Sequence, residues 1–95
     1  MKRDRRKHIR YHLEFPVTMV TSRGTMIGET NNFSGDGAFI CCQGPPNPNE
    51  NIALSIKFPD GFFMEVSSQV VWSRFAGPED TKRARGMGVR FLWEK

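Results

Sequence analysis

The sequence has little of what marks the commoner functional classes. It has no apolar run approaching the ~18 residues that a membrane span needs. Its opening, Met1-Lys2-Arg3-Asp4-Arg5-Arg6, leads into no apolar segment, so a signal peptide is not expected. Cysteine is confined to the adjacent pair Cys41 and Cys42. Neighbouring side chains on a strand point to opposite faces, and a vicinal disulfide would be strained. Two thiols in a reducing, cytoplasmic compartment are therefore expected. The only histidines, His8 and His12, lie in or beside a basic stretch and are not spaced with the cysteines as zinc ligands would be. A rigid nucleophile–base–orienter set built from them is not expected. Asp36, Glu50, Asp60 and Glu65 give no paired-carboxylate pattern, and there is no Walker A loop or G-x-S-x-G elbow. Catalysis, a metal and a cofactor are not expected. Capped helical periodicity, internal repeats and low-complexity tracts are missing too.

What is present begins with charge. The 95 residues suit one small domain with one core. The net charge is +4, and it is unevenly placed. Residues 1–10 hold six cations (Lys2, Arg3, Arg5, Arg6, Lys7, Arg10) against Asp4. The other eight cations and nine anions are spread over residues 11–95. A +5 arm on a near-neutral body suggests a phosphate-bearing or anionic partner, or a solvated tail that aids solubility. We divide the chain into a flexible basic arm, 1–12, and a domain, 13–95.

The domain reads as β almost throughout. Phe15, Val17 and Met19 alternate with Pro16, Thr18 and Val20, predicting a strand near 15–21 before the turn at Ser22-Arg23-Gly24. A second strand is expected near 25–31, and a short apolar one from Ala38 to Cys42. Three prolines, Pro45, Pro46 and Pro48, make the next stretch a loop, since each removes a ladder donor. Ile52, Leu54, Ile56 and Phe58 then share one face. After the turn Pro59-Asp60-Gly61, a long strand carries Met64, Val66, Val70 and Trp72 on one face and Glu65, Ser67 and Gln69 on the other. Gly77-Pro78-Glu79-Asp80 breaks it. The last strand places Met87, Val89, Phe91 and Trp93 together. Six short, turn-punctuated strands favour a small antiparallel β-barrel, because closure removes exposed edges in a chain too short for two large sheets.

The stretch Asn32-Phe33-Ser34-Gly35-Asp36-Gly37 joins small polar groups to two glycines. Side chains two apart share a face in extended backbone, so Asn32 and Ser34 would face the same way. The glycines allow a tight turn and a close approach to a ligand. Such a stretch is equally a hairpin turn with side-chain-to-backbone hydrogen bonds. It is N-x-S-x-x-G. About 20 residues earlier, Arg6-Lys7-His8-Ile9-Arg10 is R-x-x-x-R, with Arg5 directly before it. This ordered pair resembles the signature of the PilZ domain family, bacterial receptors for cyclic di-GMP. Val70-Val71-Trp72 and Gly86-Met87-Gly88-Val89-Arg90-Phe91 are similar as well, so the resemblance covers nearly the whole chain.

The resemblance implies a six-stranded barrel, the number counted above. It also implies a free-standing cyclic di-GMP receptor in bacterial second-messenger signalling, with Arg5, Arg6 and Arg10 folding over a ligand on the barrel. Guanidinium groups fork onto phosphate oxygens, stack on purines and reach guanine O6 and N7, whereas lysine does only the first well. Asn32 would accept from a guanine edge, Ser34 would bond a guanine edge or phosphate, and Gly37 would keep the backbone close. Asn32 stands where many members carry Asp, and the C-terminal helix of many members is not expected here. Trp72 fits either the core or the ligand's flank. The extra Arg5 implies two intercalated ligand molecules per protomer. An unidentified protein effector would read the bound state; nucleic acid and membrane insertion are not expected. The alternative is a small barrel that binds single-stranded nucleic acid or another phosphate ligand, though such proteins usually show several exposed aromatics on one face.

Overall fold

The computed structural model describes residues 14–74 and 85–93. The arm, with Arg5, Arg6 and Arg10, lies outside the described residues, as does the break at 77–80. Six strands follow in order: β1 (Pro16–Thr21), β2 (Gly24–Phe33), β3 (Gly37–Cys41), β4 (Asn51–Lys57), β5 (Phe63–Arg74) and β6 (Gly86–Phe91). They close into a barrel in the order β1-β2-β3-β6-β5-β4, every neighbouring pair antiparallel. The described residues contain no helix.

Alternation explains which side chains point in. Val17 and Met19 from β1, Ile52, Leu54 and Ile56 from β4, Val66 and Val70 from β5, and Met87, Val89 and Phe91 from β6 fill the interior. Each such burial contributes roughly 1.5–3 kcal/mol. At one end, Phe15, Phe33 and Phe58 meet edge to face, with centroids 4.9–6.1 Å apart. At the other end the proline-rich loop closes the barrel with Pro45 and Pro46 fully buried. Buried carbonyls need donors. The Arg23 guanidinium supplies them to the carbonyls of Gly44 (3.2 Å) and Pro45 (3.3 Å), and the Ser73 hydroxyl to that of Pro46. Beside this loop the hydroxyl and amide of Ser22 donate to Glu50 Oε2 (2.6 and 3.1 Å), holding that carboxyl below its ordinary range.

Several expectations need adjusting. Strand β2 runs on past residue 31 to Phe33, so Asn32 and Phe33 belong to a strand and not to the turn. Its register with β3 shifts between Thr30 and Asn32, a bulge at Asn31. Trp72 is not in the core. The register of β5 on β6 also shifts, between Val70 and Trp72, so one extra residue turns the indole outward, where it is 41% exposed. Trp93 is not in the core either: β6 ends at Phe91, and the indole is half exposed against the β2–β3 turn. Cys41 and Cys42 form no disulfide, and Cys42 is buried. Burial pushes its thiol up to about 11, and Cys41 adds to the shift.

Candidate functional site

The site is built on the β2–β3 turn and the outer face of β3, β6 and β5. The Ser34 amide donates to the carbonyl of Gly37 at 3.0 Å, and the Ser34 hydroxyl donates to the same oxygen at 3.3 Å. The Asp36 amide donates back to Ser34 Oγ at 3.2 Å. Ser34 is buried and organises the turn, as serine does when its hydroxyl replaces a backbone partner. The turn is then stitched to the last strand. The Phe91 amide donates to Asp36 O (2.7 Å), and Trp93 Nε1 donates to Gly35 O (2.9 Å).

Gly37 is required sterically. A Cβ there would stand 2.0 Å from the carbonyl oxygen of Val89. The close approach that glycine permits is to β6 itself, across the β3–β6 ladder.

Register places a second feature beside the turn. Asn32 pairs with Phe39, Phe39 with Gly88, and Gly88 with Trp72. These four positions form one row across four strands. The neighbouring row, Phe33, Ala38, Val89 and Val70, points inward, so this one faces out. Gly88 leaves the gap that the Trp72 indole fills: a Cβ there would meet the indole Nε1 at 2.3 Å. Across that gap Trp72 stacks on Phe39, with centroids 5.2 Å apart and planes 20° from parallel. The Arg74 guanidinium sits 5.8 Å from the Trp72 ring centre. In the next outward-facing row, beyond the inward one, Arg90 donates to Gln69 Oε1 at 2.8 Å. Ser34, Asp36, Gly37, Phe39, Trp72 and Arg90 are among the walls of a groove of about 260 Å³.

At the other end of the row, the side-chain oxygens of Asn32 and of the bulged Asn31 beside it are buried and have no hydrogen-bond partner among the described residues. An acceptor left so costs about 1–3 kcal/mol. A flat aromatic plate, guanidinium groups at its edges and orphaned amide oxygens at its end suit a planar ligand with both hydrogen-bond donors and negative charge.

Of the residues singled out in the sequence, the structure brings Asn32, Ser34, Gly37 and Trp72 to this face. Arg5, Arg6 and Arg10 lie outside the described residues. The sequence reading missed Phe39, Gly88 and Arg90. The signal for Phe39 was a large aromatic between the inward Ala38 and Ile40, on the face where a polar residue would be ordinary. That for Gly88 was the Gly86-x-Gly88 spacing, whose purpose depends on which side chain lies across the strand.

No curated protein sequence matches this chain. Solved structures do resemble it. The Bacillus subtilis inhibitor of motility (MotI/DgrA) superposes with a TM-score of 0.74 at 19% identity, over 95% of this chain and 43% of that one. The chain thus spans less than half the length of that relative. The PilZ domain of CeSA, from a cellulose-synthesizing bacterium, gives 0.64 at 19% identity, over 90% of this chain and 83% of that one. The PilZ domain of Escherichia coli YcgR, solved with c-di-GMP, gives 0.70 at 14% identity, over 94% and 79%. Identities this low speak for a shared fold. The family model described as the PilZ domain matches residues 4–94, and so takes in the R-x-x-x-R stretch, the N-x-S-x-x-G turn and all six strands. With one family pattern running through both motifs and the barrel that carries them, the chain belongs to the PilZ domain family.

Proposed function

We propose that the chain is a bacterial, cytoplasmic receptor for cyclic di-GMP, a binding domain rather than an enzyme. The observation that carries this reading is the row Trp72–Gly88–Phe39–Asn32 beside the Ser34 turn. A guanine stacked along the aromatic pair would bring its N1–H and N2–H₂ toward the Asn32 oxygen, which has no partner among the described residues, and so offset its desolvation. The Ser34 hydroxyl already donates within its turn, so its part is to shape the site and to accept one further hydrogen bond. Arg90 and Arg74 flank the plate and suit phosphate. Arg5, Arg6 and Arg10, on the arm of residues 1–12, close over the ligand on the barrel of residues 13–95. The YcgR domain, solved with c-di-GMP, supports this choice of ligand.

Arg5 adds a third guanidinium, hence a further stacking face and a charge to balance a second ligand. Two intercalated molecules per protomer follow. The bound surface, arm plus ligand, is what a protein effector would read.

The test is calorimetric titration with cyclic di-GMP, GMP and single-stranded DNA. Saturable binding of cyclic di-GMP, without comparable binding of the other two, is the expected result. Equal binding of all three would make the arm a general phosphate binder. DNA belongs in the set because Trp72, Trp93, Phe62 and Phe63 are exposed aromatics that a nucleic-acid reading could also use.

A further inference from the structure

The barrel wall opposite the ligand site carries a second apolar surface. In the closed strand order, β1 lies across from β6 and β4 across from β3. On this wall β2, β1 and β4 run side by side, and their pairing lines up residues in rows. One row is Thr25, Val20 and Ala53, and the next is Ile27, Thr18 and Ser55. Two residues further along the strands come Glu29, Pro16 and Lys57. The intervening Val17, Met19, Leu54 and Ile56 fill the core, so these rows face out.

The relief of this wall is uneven. Ile27 is 78% exposed and Val20 56% exposed, on neighbouring strands. Polar side chains are ordinary on the outer face of such a sheet, and large exposed apolar groups side by side mark an interaction surface. Next to them the wall falls away into a shallow groove of about 380 Å³, where Thr18, Ala53, Ser55 and Ser67 present small side chains beside Glu65. An apolar ridge on β2 and a small-residue groove on β4 thus share one face, with Val20 of β1 between them. Charge is arranged in the same mirrored way. Glu29 lies two residues past Ile27 on β2, and Lys57 lies two residues past Ser55 on β4. Lys57 Nζ is 5.9 Å from the Phe63 ring centre, a contact that leaves its three donors open.

We infer that this wall pairs with the same wall of a second copy of the chain, about a twofold axis that lies over β1 and runs along it. Such an axis turns β2 of one copy over β4 of the other and keeps the rows in step. Ile27 then enters the groove at the partner's Ser55, and Thr25 covers the partner's Ala53. Val20 meets the partner's Val20 near the axis, and Glu29 faces the partner's Lys57. Every contact off the axis occurs twice, as an isologous interface requires. This self-match selects a second copy over other occupants. Ridge answers groove and cation answers anion on a single surface, and an unrelated partner would have no cause to reproduce both. Sheets pack face to face about 10 Å apart, a separation that interdigitated isoleucine and valine side chains fill. The wall of a barrel is convex, so contact is confined to three strands and association is reversible. Both ligand faces stay on the outside of the pair, and pairing is independent of what they bind.

The test is sedimentation velocity of the full chain, without nucleotide, over a range of protein concentrations. A dimer fraction that rises with concentration is expected. Ile27→Lys puts a charge where the isoleucine enters the groove and should abolish the dimer. Its melting curve should match the parent's, because Ile27 is exposed in the single chain. Glu29→Lys and Lys57→Glu each set like charges face to face at both ends of the contact, and each should weaken association roughly tenfold or more. Mixed in equal amounts, these two variants should associate again, since each supplies the charge that the other needs. Raising the salt should shrink the difference between the mixture and the separate variants. A chain that stays monomeric at every concentration overturns the proposal and leaves the wall to a different partner. A dimer that survives Ile27→Lys overturns it as well, by placing the interface elsewhere. Failure of the mixed variants to associate overturns the twofold pairing over β1.

Discussion

Replacing Gly37 by alanine would place a methyl group 2.0 Å from the carbonyl oxygen of Val89. Replacing Gly88 by alanine would place one 2.3 Å from the Trp72 indole. The two clashes are similar in size and opposite in consequence. At Gly37 the obstacle is backbone in a paired strand, so relief requires β3 and β6 to separate where Gly37 faces Arg90 and Ala38 faces Val89. Overpacking of that kind costs about 1–3 kcal/mol or somewhat more. The entropy gained by replacing a strand glycine, about 0.5–1 kcal/mol, offsets only part of it. A net loss near ~2 kcal/mol lowers the melting temperature of a domain this size by roughly 8–16 °C. At Gly88 the obstacle is a half-exposed side chain that can swing into solvent. The loss is the Phe39–Trp72 stack, about 0.5–1.5 kcal/mol, largely cancelled by the same entropy term. Gly88→Ala should therefore melt within a few degrees of the parent. It should instead shift the tryptophan emission and weaken cyclic di-GMP by about tenfold, since the plate is broken. Differential scanning calorimetry and ligand titration of both variants decide the matter. If Gly88→Ala is as destabilised as Gly37→Ala, the indole is part of the barrel's packing and not a displaceable plate. If Gly37→Ala melts like the parent, the strand contact at Val89 does not govern the site.

Arg6→Ala and Arg10→Ala should each nearly abolish cyclic di-GMP binding in calorimetry while leaving the ligand-free melting temperature within a degree or two, and Asn32→Ala should weaken binding less. At 100 times its dissociation constant, cyclic di-GMP should stabilise the fold by ~2.7 kcal/mol, a shift of roughly 10–20 °C, with two ligands bound per chain; a clean one-site fit would remove the intercalated pair. Cys42 should set an alkaline limit. Its folded thiol titrates at about 11 against an ordinary 9.0, so its contribution is complete below about pH 9 and is lost as pH rises through about 11. Melting curves from pH 8 to 11 should show that decline, and Cys42→Ala should flatten it; an unchanged slope in the variant would assign the decline to other groups.

Much of the fold was legible because strand alternation is a local property. Ile52, Leu54 and Ile56 must share a face wherever the strand lies, and the turn residues between runs limit where strands can end. Trp72 and Trp93 were not legible in the same way. Each continues an inward series, Val66 and Val70 for the first, Met87, Val89 and Phe91 for the second. What breaks the series is not in the segment itself. A register shift against β6 turns Trp72 out, and the β2–β3 turn offers Trp93 a carbonyl at Gly35.

The candidate site divides along the same line. Sequence determined the charge of the arm, the N-x-S-x-x-G turn chemistry and the family, since these depend on residue types at fixed short spacings. Tertiary structure decided what Gly37 and Gly88 are for, because a glycine's purpose is set by whatever would occupy its Cβ position, and both occupants come from other strands. It also decided that Phe39, Trp72 and Asn32 form one surface. Residues 32, 39, 72 and 88 share a row only through barrel closure and two bulges, and cross-strand register is a property of pairs of strands that no single stretch of chain encodes.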